Sequence, residues 1–263
     1  MNITLKEVEM IVREVTDAVF YQPFSVMEKG GYADVVTSSD KAIQERLATR
    51  LSELLPGSGF LGEEDGLLDE EEDMWIIDPI DGTQNFSRGI EACCVSVGLV
   101  HQKESILGVV YMPFLNKCYT AEKGKGAFCN GKRISVSHRP FSDAILCTAL
   151  CLYHKEYAKV CSDIIFDAYL SCNDVRRFGS CAYELCQMAE VKTDLYFEIS
   201  ISPWDFTGSE IILKEAGGYL KGFDLTVPPH VGSTPLVGAN SLENLEKLNA
   251  IIKRHLPKAP IIQ

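Results

Sequence analysis

The stretch that most constrains this 263-residue chain is Trp75-Ile76-Ile77-Asp78-Pro79-Ile80-Asp81-Gly82-Thr83-Gln84-Asn85-Phe86. Trp75, Ile76 and Ile77 form a short, bulky apolar run, which predicts a buried strand. Proline cannot donate to a sheet ladder, so the strand is expected to stop at Asp78-Pro79. Asp81-Gly82-Thr83 then turns the chain toward a helix. Two carboxylates three residues apart, on a turn stiffened by Pro79, can face one point, and hard divalent cations bind such oxygens. The N–H groups of Gly82 and Thr83 at a helix start suit a phosphate. For a lone D-x-x-D the plainer explanation is a strand-end turn followed by a helix cap.

The pattern here is longer. Asp78-Pro79-Ile80-Asp81-Gly82-Thr83-x-Asn85-Phe86 resembles the signature of the inositol monophosphatase family of magnesium-dependent, lithium-sensitive phosphatases. Gly62-Glu63-Glu64 upstream is similar to a second signature of that family. Trp204-Asp205 followed by Glu215-Ala216-Gly217-Gly218 is similar to a third, in the same order along the chain. The resemblance covers nearly the whole sequence.

Length predicts one large domain or two intimate halves with a substantial core. The net charge of −12 argues against a nucleic-acid backbone as partner. Part of that charge lies in Asp69-Glu70-Glu71-Glu72-Asp73, which lacks the spacing and glycine of a calcium loop and predicts a solvated loop. The ten cysteines include no C-x-x-C pair and sit in apolar stretches, so they read as buried hydrophobes in a reducing cytoplasm. No signal peptide is expected. No apolar run reaches the roughly 18 residues of a membrane span.

In chain order, residues 4–20 predict a helix with a Thr4/Glu7 capping box and a buried stripe from Leu5 to Val19. Residues 28–34 predict a mobile, glycine-containing flap. Val35–Asp40 leads into a second helix with Asp40 in its first turn, closed by Pro56-Gly57. Phe60–Glu64 predicts a strand end. Residues 92–134 predict an antiparallel meander, with Asn130-Gly131 as a hairpin turn. From about residue 140, strands and helices alternate: strands at 144–150, 175–178 and 194–198, helices at 153–169, 179–188, 205–216 and 241–255. The fold class is α+β. The resemblance implies a layered αβαβα sugar-phosphatase-like fold. Residues 1–139 would form an antiparallel-rich N-terminal half carrying most metal ligands, and residues 140–263 an α/β C-terminal half completing the site in one compact body.

The resemblance also implies roles for individual residues. Glu63, Asp78 and the carbonyl of Ile80 would hold one Mg²⁺; Asp78, Asp81 and Asp205 would hold another, with two or three ions per site. Asp40 would position the attacking water through Thr83. Asp81, Gly82 and Thr83 would meet the phosphate. Gly179, Ser180, Cys181 and Glu198 would contact sugar or inositol hydroxyls, and Lys29 matches a lysine on a mobile active-site loop. Glu64 is left without a firm role.

The expected reaction is Mg²⁺-dependent hydrolysis of inositol monophosphate or a related sugar phosphate by in-line attack of an activated water. Alternatives are a 3′-phosphoadenosine 5′-phosphate or histidinol-phosphate phosphatase of the same superfamily, and a non-catalytic metal-binding scaffold. Asn85-Phe86 resembles the inositol and fructose-1,6-bisphosphate branch. The partner is a small phosphorylated polyol or sugar, with no nucleic acid and no membrane, and the family expectation is a homodimer.

Overall fold

The computed structural model describes residues 3–31, 34–69, 71–152, 154–230 and 232–258; the side chains of 29–31, 34 and 67–69 lie outside the description. Helix α1 (Leu5–Val19) starts at the expected Thr4/Glu7 capping box and buries Val8, Ile11, Val12, Val15 and Val19. The stretch read as a flap is instead largely paired. Strands β1 (Val26–Gly31) and β2 (Asp34–Thr37) form an antiparallel hairpin, because backbone groups this close find each other as partners. Lys29 lies in β1, and its side chain is among those outside the description. Helix α2 (Ser38–Leu54) follows, capped by Thr37, with Asp40 at the third helical position completing a capping box.

Strands β3 (Gly59–Gly62), β4 (Gly66–Asp69) and β5 (Asp73–Asp81) come next. The acidic run is therefore not wholly loop: Asp69 ends β4 and Asp73 begins β5. Nor does β5 stop at Asp78. It continues through Pro79 to Asp81 because the ladder is irregular there: Asp78 pairs with Ser96 and Asp81 with Cys94. Three steps on one strand oppose two on the other, a one-residue bulge, and at a bulge proline's missing N–H breaks no ladder bond. Helix α3 (Thr83–Phe86) is a single turn.

The predicted meander is present as β6 (Cys94–His101), β7 (Glu104–Met112), β8 (Lys117–Glu122), β9 (Gly126–Cys129) and β10 (Lys132–Ile134), with the Asn130-Gly131 turn between the last two. Strands β3–β10 form one eight-stranded sheet, mostly antiparallel. After it come β11 (Ile145–Thr148), α4 (Ala158–Tyr169), β12 (Asp174–Arg176), α5 (Cys181–Ala189), β13 (Leu195–Ile201), α6 (Pro203–Glu215), β14 (Tyr219–Gly222), β15 (Thr234–Ala239) and α7 (Leu242–His255). A second sheet has the order β12-β11-β13-β15-β14. Neither β14 nor β15 was expected from the sequence.

The layers are α, β, α, β, α. Helices α1 and α2 cover one face of the large sheet. Helices α5 and α6 fill the space between the sheets, and α4 and α7 cover the far face of the small sheet. Nine of the ten cysteines are buried and all are free. Among the described residues no helix is long and apolar enough to cross a membrane.

Helix α6 approaches the large sheet unusually closely. A Cβ on Gly108 would lie 2.1 Å from the carbonyl oxygen of Gly208, one on Gly98 2.5 Å from Thr207 Cγ2, and one on Gly208 2.9 Å from the Val97 carbonyl. Three glycines therefore let α6, which begins two residues before Asp205, sit down on β6 and β7. Gly108→Ala should force the helix off the sheet and cost about 3 kcal/mol, the upper range for an overpacked core. Urea unfolding checks this; a midpoint unchanged from wild type would show that the contact is dispensable.

Candidate active site

The bulge in β5 sets the geometry. On a regular strand, residues three apart point to opposite faces. The extra residue between Asp78 and Asp81 cancels that alternation and lets both carboxylates face the same cavity. Asp78 Oδ1 accepts the Ile80 N–H at 2.9 Å, which fixes its rotamer. Asp205, in the first turn of α6, accepts the Ser202 N–H at 2.9 Å. Asp78, Asp81 and Asp205 each present a carboxylate oxygen within 4.8 Å of the others. Glu63, just past β3, stands outside that trio but lines the same cavity, and its charge bears on both Asp78 and Asp205.

Asp81 is held across the junction of the two sheets. Its Oδ2 accepts the Ser180 hydroxyl at 2.8 Å and the Ala182 N–H at 2.6 Å, both at the start of α5. Thr83 Oγ1 lies 3.1 Å from Asp40 Oδ1 and 2.9 Å from the Ile80 carbonyl, either of which can accept its single proton. The other Asp40 oxygen accepts the Thr37 N–H at 2.8 Å. The expected Asp40–Thr83 pair is therefore formed, 43 residues apart in sequence.

These groups line one cavity of about 520 Å³. Its wall includes Glu63, Asp78, Ile80, Asp81, Gly82, Thr83, Gly179, Ser180, Cys181, Glu198 and Asp205, so nearly all the residues singled out in the sequence meet there. Asp40 stands behind Thr83, fully buried. The Glu64 backbone is tied to α2: its N–H donates to Gln44 Oε1 at 3.0 Å. The sequence reading missed Arg88, His154, Arg177 and Glu184, which complete the wall. Glu184 had one available signal, a lone acid within a mostly apolar helical stretch.

Burial pushes the pKa of Asp78 well above the usual carboxylate range, and the charges of Glu63, Asp81, Asp205 and Asp40 push it further. Asp205 is raised by burial, then by Asp81 and Glu63. Burial lifts Asp81 to about 6 against the Ser180 and Ala182 hydrogen bonds, and Asp40 to about 6 against those from Thr37. Burial raises Glu198 to about 7, opposed by the Tyr196 hydroxyl. Among the described residues, no Lys, Arg or His forms an ion pair with Asp78, Asp81 or Asp205. An all-oxygen, anionic trio without a protein counter-cation fits a hard divalent ion such as Mg²⁺.

Comparison with known proteins agrees with this geometry. The sequence model of the inositol monophosphatase family matches residues 2–256. Inositol monophosphatase 1 of Bos taurus is 36% identical over 224 residues, 82% of this chain and 80% of its own. A protein of Aquifex aeolicus named fructose-1,6-bisphosphatase/inositol-1-monophosphatase is 37% identical over 194 residues, covering 73% of this chain and 74% of its own. Among solved structures, the extragenic suppressor protein suhB of Bartonella henselae superposes with a TM-score of 0.84 at 26% identity, covering 96% of this chain and 97% of that one.

The acid cluster has a consequence for stability. A carboxyl whose folded pKa lies above its unfolded value stabilises the fold fully below about pH 4, and that contribution is lost as pH rises through about 6, the value reached by Asp40 and Asp81. With a chelator present, Asp78→Asn should therefore stabilise the protein near pH 7 by about 1–2 kcal/mol, as relief of an active-site strain commonly does, and do little near pH 4. Thermal unfolding at the two pH values checks this; a less stable Asp78→Asn near pH 7 would overturn the account of repulsion.

Proposed function

The chain belongs to the inositol monophosphatase family, whose members are phosphoric monoester hydrolases, and on that premise we propose that it hydrolyses inositol monophosphate or a related sugar phosphate with Mg²⁺. The observation that carries this reading is the convergence of Asp78, Asp81 and Asp205 beside the Asp40–Thr83 hydrogen bond. Glu63, Asp78 and the Ile80 carbonyl would hold one ion, and Asp78, Asp81 and Asp205 another. Bound Mg²⁺ would neutralise phosphate charge and lower the pKa of a coordinated water.

The protein's own groups do the rest. Asp40 holds the Thr83 side chain, and through it would orient the attacking water on the side of the phosphorus away from the leaving oxygen. The Gly82 and Thr83 N–H groups would meet the phosphate oxygens. Glu198, fixed by the Tyr196 hydroxyl at 2.9 Å, would accept from substrate hydroxyls, together with the backbone of Gly179, Ser180 and Cys181. In this arrangement no side chain takes up the phosphoryl group, and attack is direct.

A sugar bisphosphate is the second reading. Arg88 and Arg177 line the cavity, and among the described residues neither forms an ion pair. Two guanidinium groups on the wall of an acidic cleft would receive a second phosphate. The double name of the Aquifex relative supports this reading too.

Phosphate release should be measured from inositol 1-phosphate, fructose 1,6-bisphosphate, 3′-phosphoadenosine 5′-phosphate and histidinol phosphate, with Mg²⁺, with chelator, and with added Li⁺. The expected result is Mg²⁺-dependent, Li⁺-sensitive release from the first or second compound. Release only from the third or fourth would replace the substrate assignment, and folded protein inert on all four would overturn it. Thr83→Ala should lower kcat by about 10²-fold or more, as loss of a positioned group in the transition state does, with little change in KM. An effect confined to KM would remove Thr83 from water orientation.

A further inference from the structure

The peptide that leads into α5 is gripped from both sides. The Phe178 N–H donates to Glu184 Oε1 at 2.6 Å, and the Phe178 carbonyl accepts from Asn85 Nδ2 at 2.7 Å. The same Glu184 oxygen takes the Gly179 N–H at 3.0 Å, and the same Asn85 nitrogen donates to the Ala92 carbonyl at 2.7 Å. Asn85 lies four residues after Asp81. Asp81 holds Ser180 and Ala182 while Asn85 holds Phe178, so two side chains from one turn grip the entry to α5 at both ends. Gly179 sits between the two grips at φ +81, with Asn85 Nδ2 3.6 Å from where its Cβ would be.

Nothing in the reaction as proposed uses Asn85 or Glu184. Glu184 is 3% exposed and shares its helix with the buried Cys181, Leu185 and Cys186. A leucine there would bury more cheaply than a carboxyl group. What a leucine could not do is satisfy two N–H groups at the lip of the cavity.

We propose that Asn85 and Glu184 are positioning residues that clamp the Phe178 peptide, and so set the hydroxyl-contacting backbone of Gly179–Cys181 at a fixed distance from the Asp78–Asp81 turn. This rests on the proposed function, because it assigns that backbone to the leaving polyol or sugar. The clamp needs an acceptor at 184 and a donor at 85, and no charge at either. Burial and the charge of Glu198 raise Glu184 to about 8, so a neutral side chain at 184 is compatible with the observed contacts.

The test separates the polyol side of the site from the phosphate side. Asn85→Ala should raise KM for the polyol or sugar phosphate by about tenfold or more, the scale of a small misplacement of a binding group. It should leave kcat/KM for p-nitrophenyl phosphate, whose leaving group has no hydroxyls, within about twofold. Glu184→Gln keeps the acceptor and should behave as wild type, whereas Glu184→Leu should repeat the Asn85→Ala split. Equal loss on both substrates in Asn85→Ala, or loss in Glu184→Gln as large as in Glu184→Leu, would overturn the proposal. Hydrogen exchange reads the clamp without substrate: the Phe178 and Gly179 amides, which donate to Glu184, should exchange about tenfold faster in Glu184→Leu than in Glu184→Gln. Unchanged exchange would overturn the clamp even if the wild type proved inert on every ester, an outcome that by itself would count against the proposed function.

Discussion

One extra residue in β5 carries the rest of the site. Sheet geometry alternates side chains strictly, so Asp78 and Asp81 would otherwise face opposite layers. The bulge turns both toward the gap between the two sheets. That gap is where α5 and α6 begin. Helix α6 reaches it because Gly98, Gly108 and Gly208 remove the side chains that would hold it off. The trio thus joins a strand irregularity in the first sheet to a helix start in the layer behind it, and without the bulge β5 would offer the cavity one carboxylate rather than two.

Helix ends then help hold the acids in place. Asp40 sits in the capping box of α2, Asp205 accepts an N–H at the head of α6, and Asp81 lies across the head of α5. The first turn of a helix presents unpaired N–H groups and the positive end of its dipole. Three carboxylates are thereby fixed without a lysine or arginine. At Asp81 and Asp205 the arrangement orients the carboxylate while leaving it without a cation partner among the described residues. Asp81 shows the division most clearly: one oxygen accepts from both Ser180 and Ala182, which leaves the other for the cavity.

Much of this was legible in the residues. The capping box at Thr4/Glu7 and the place of Asp40 in the first turn of α2 follow from local chemistry, and the meander follows from alternation and the Asn130-Gly131 turn. The candidate metal ligands were singled out through resemblance to known signatures, because spacing alone could not separate Asp78 and Asp81 from an ordinary turn. Pro79 misled the strand boundary: proline ends a regular ladder, and a bulge is where it does not have to. The β1–β2 hairpin was missed because Gly30 and Gly31 read as flexibility. Val191 could not have been anticipated at all. It occupies the left-handed position after α5, φ 61, where the Lys192 N–H to Gln187 carbonyl bond closes the helix end and glycine is the usual occupant. Asn85 was hidden for a different reason, since it works by bonding the Phe178 carbonyl 93 residues away in sequence.

The chain's treatment of its other buried acids makes the cavity stand out. Glu210, five residues along α6 from Asp205 and fully buried, would be raised by burial, yet His230 and Lys214 bring it down to about 2. Asp194, equally buried, pairs with Arg139 at 3.0 Å and accepts the Ile145 N–H. The fold is therefore able to place a cation beside a buried carboxylate when the carboxylate is structural. At Asp78, Asp81 and Asp205 it does the reverse, bringing acids together and pushing their pKa values up rather than down. Burial is common to both groups, so it does not explain the difference. Charge compensation does: inside the scaffold it is supplied by side chains, and in the cavity it is left to be supplied from outside, which is the electrostatic condition for capturing a divalent cation and with it a phosphate.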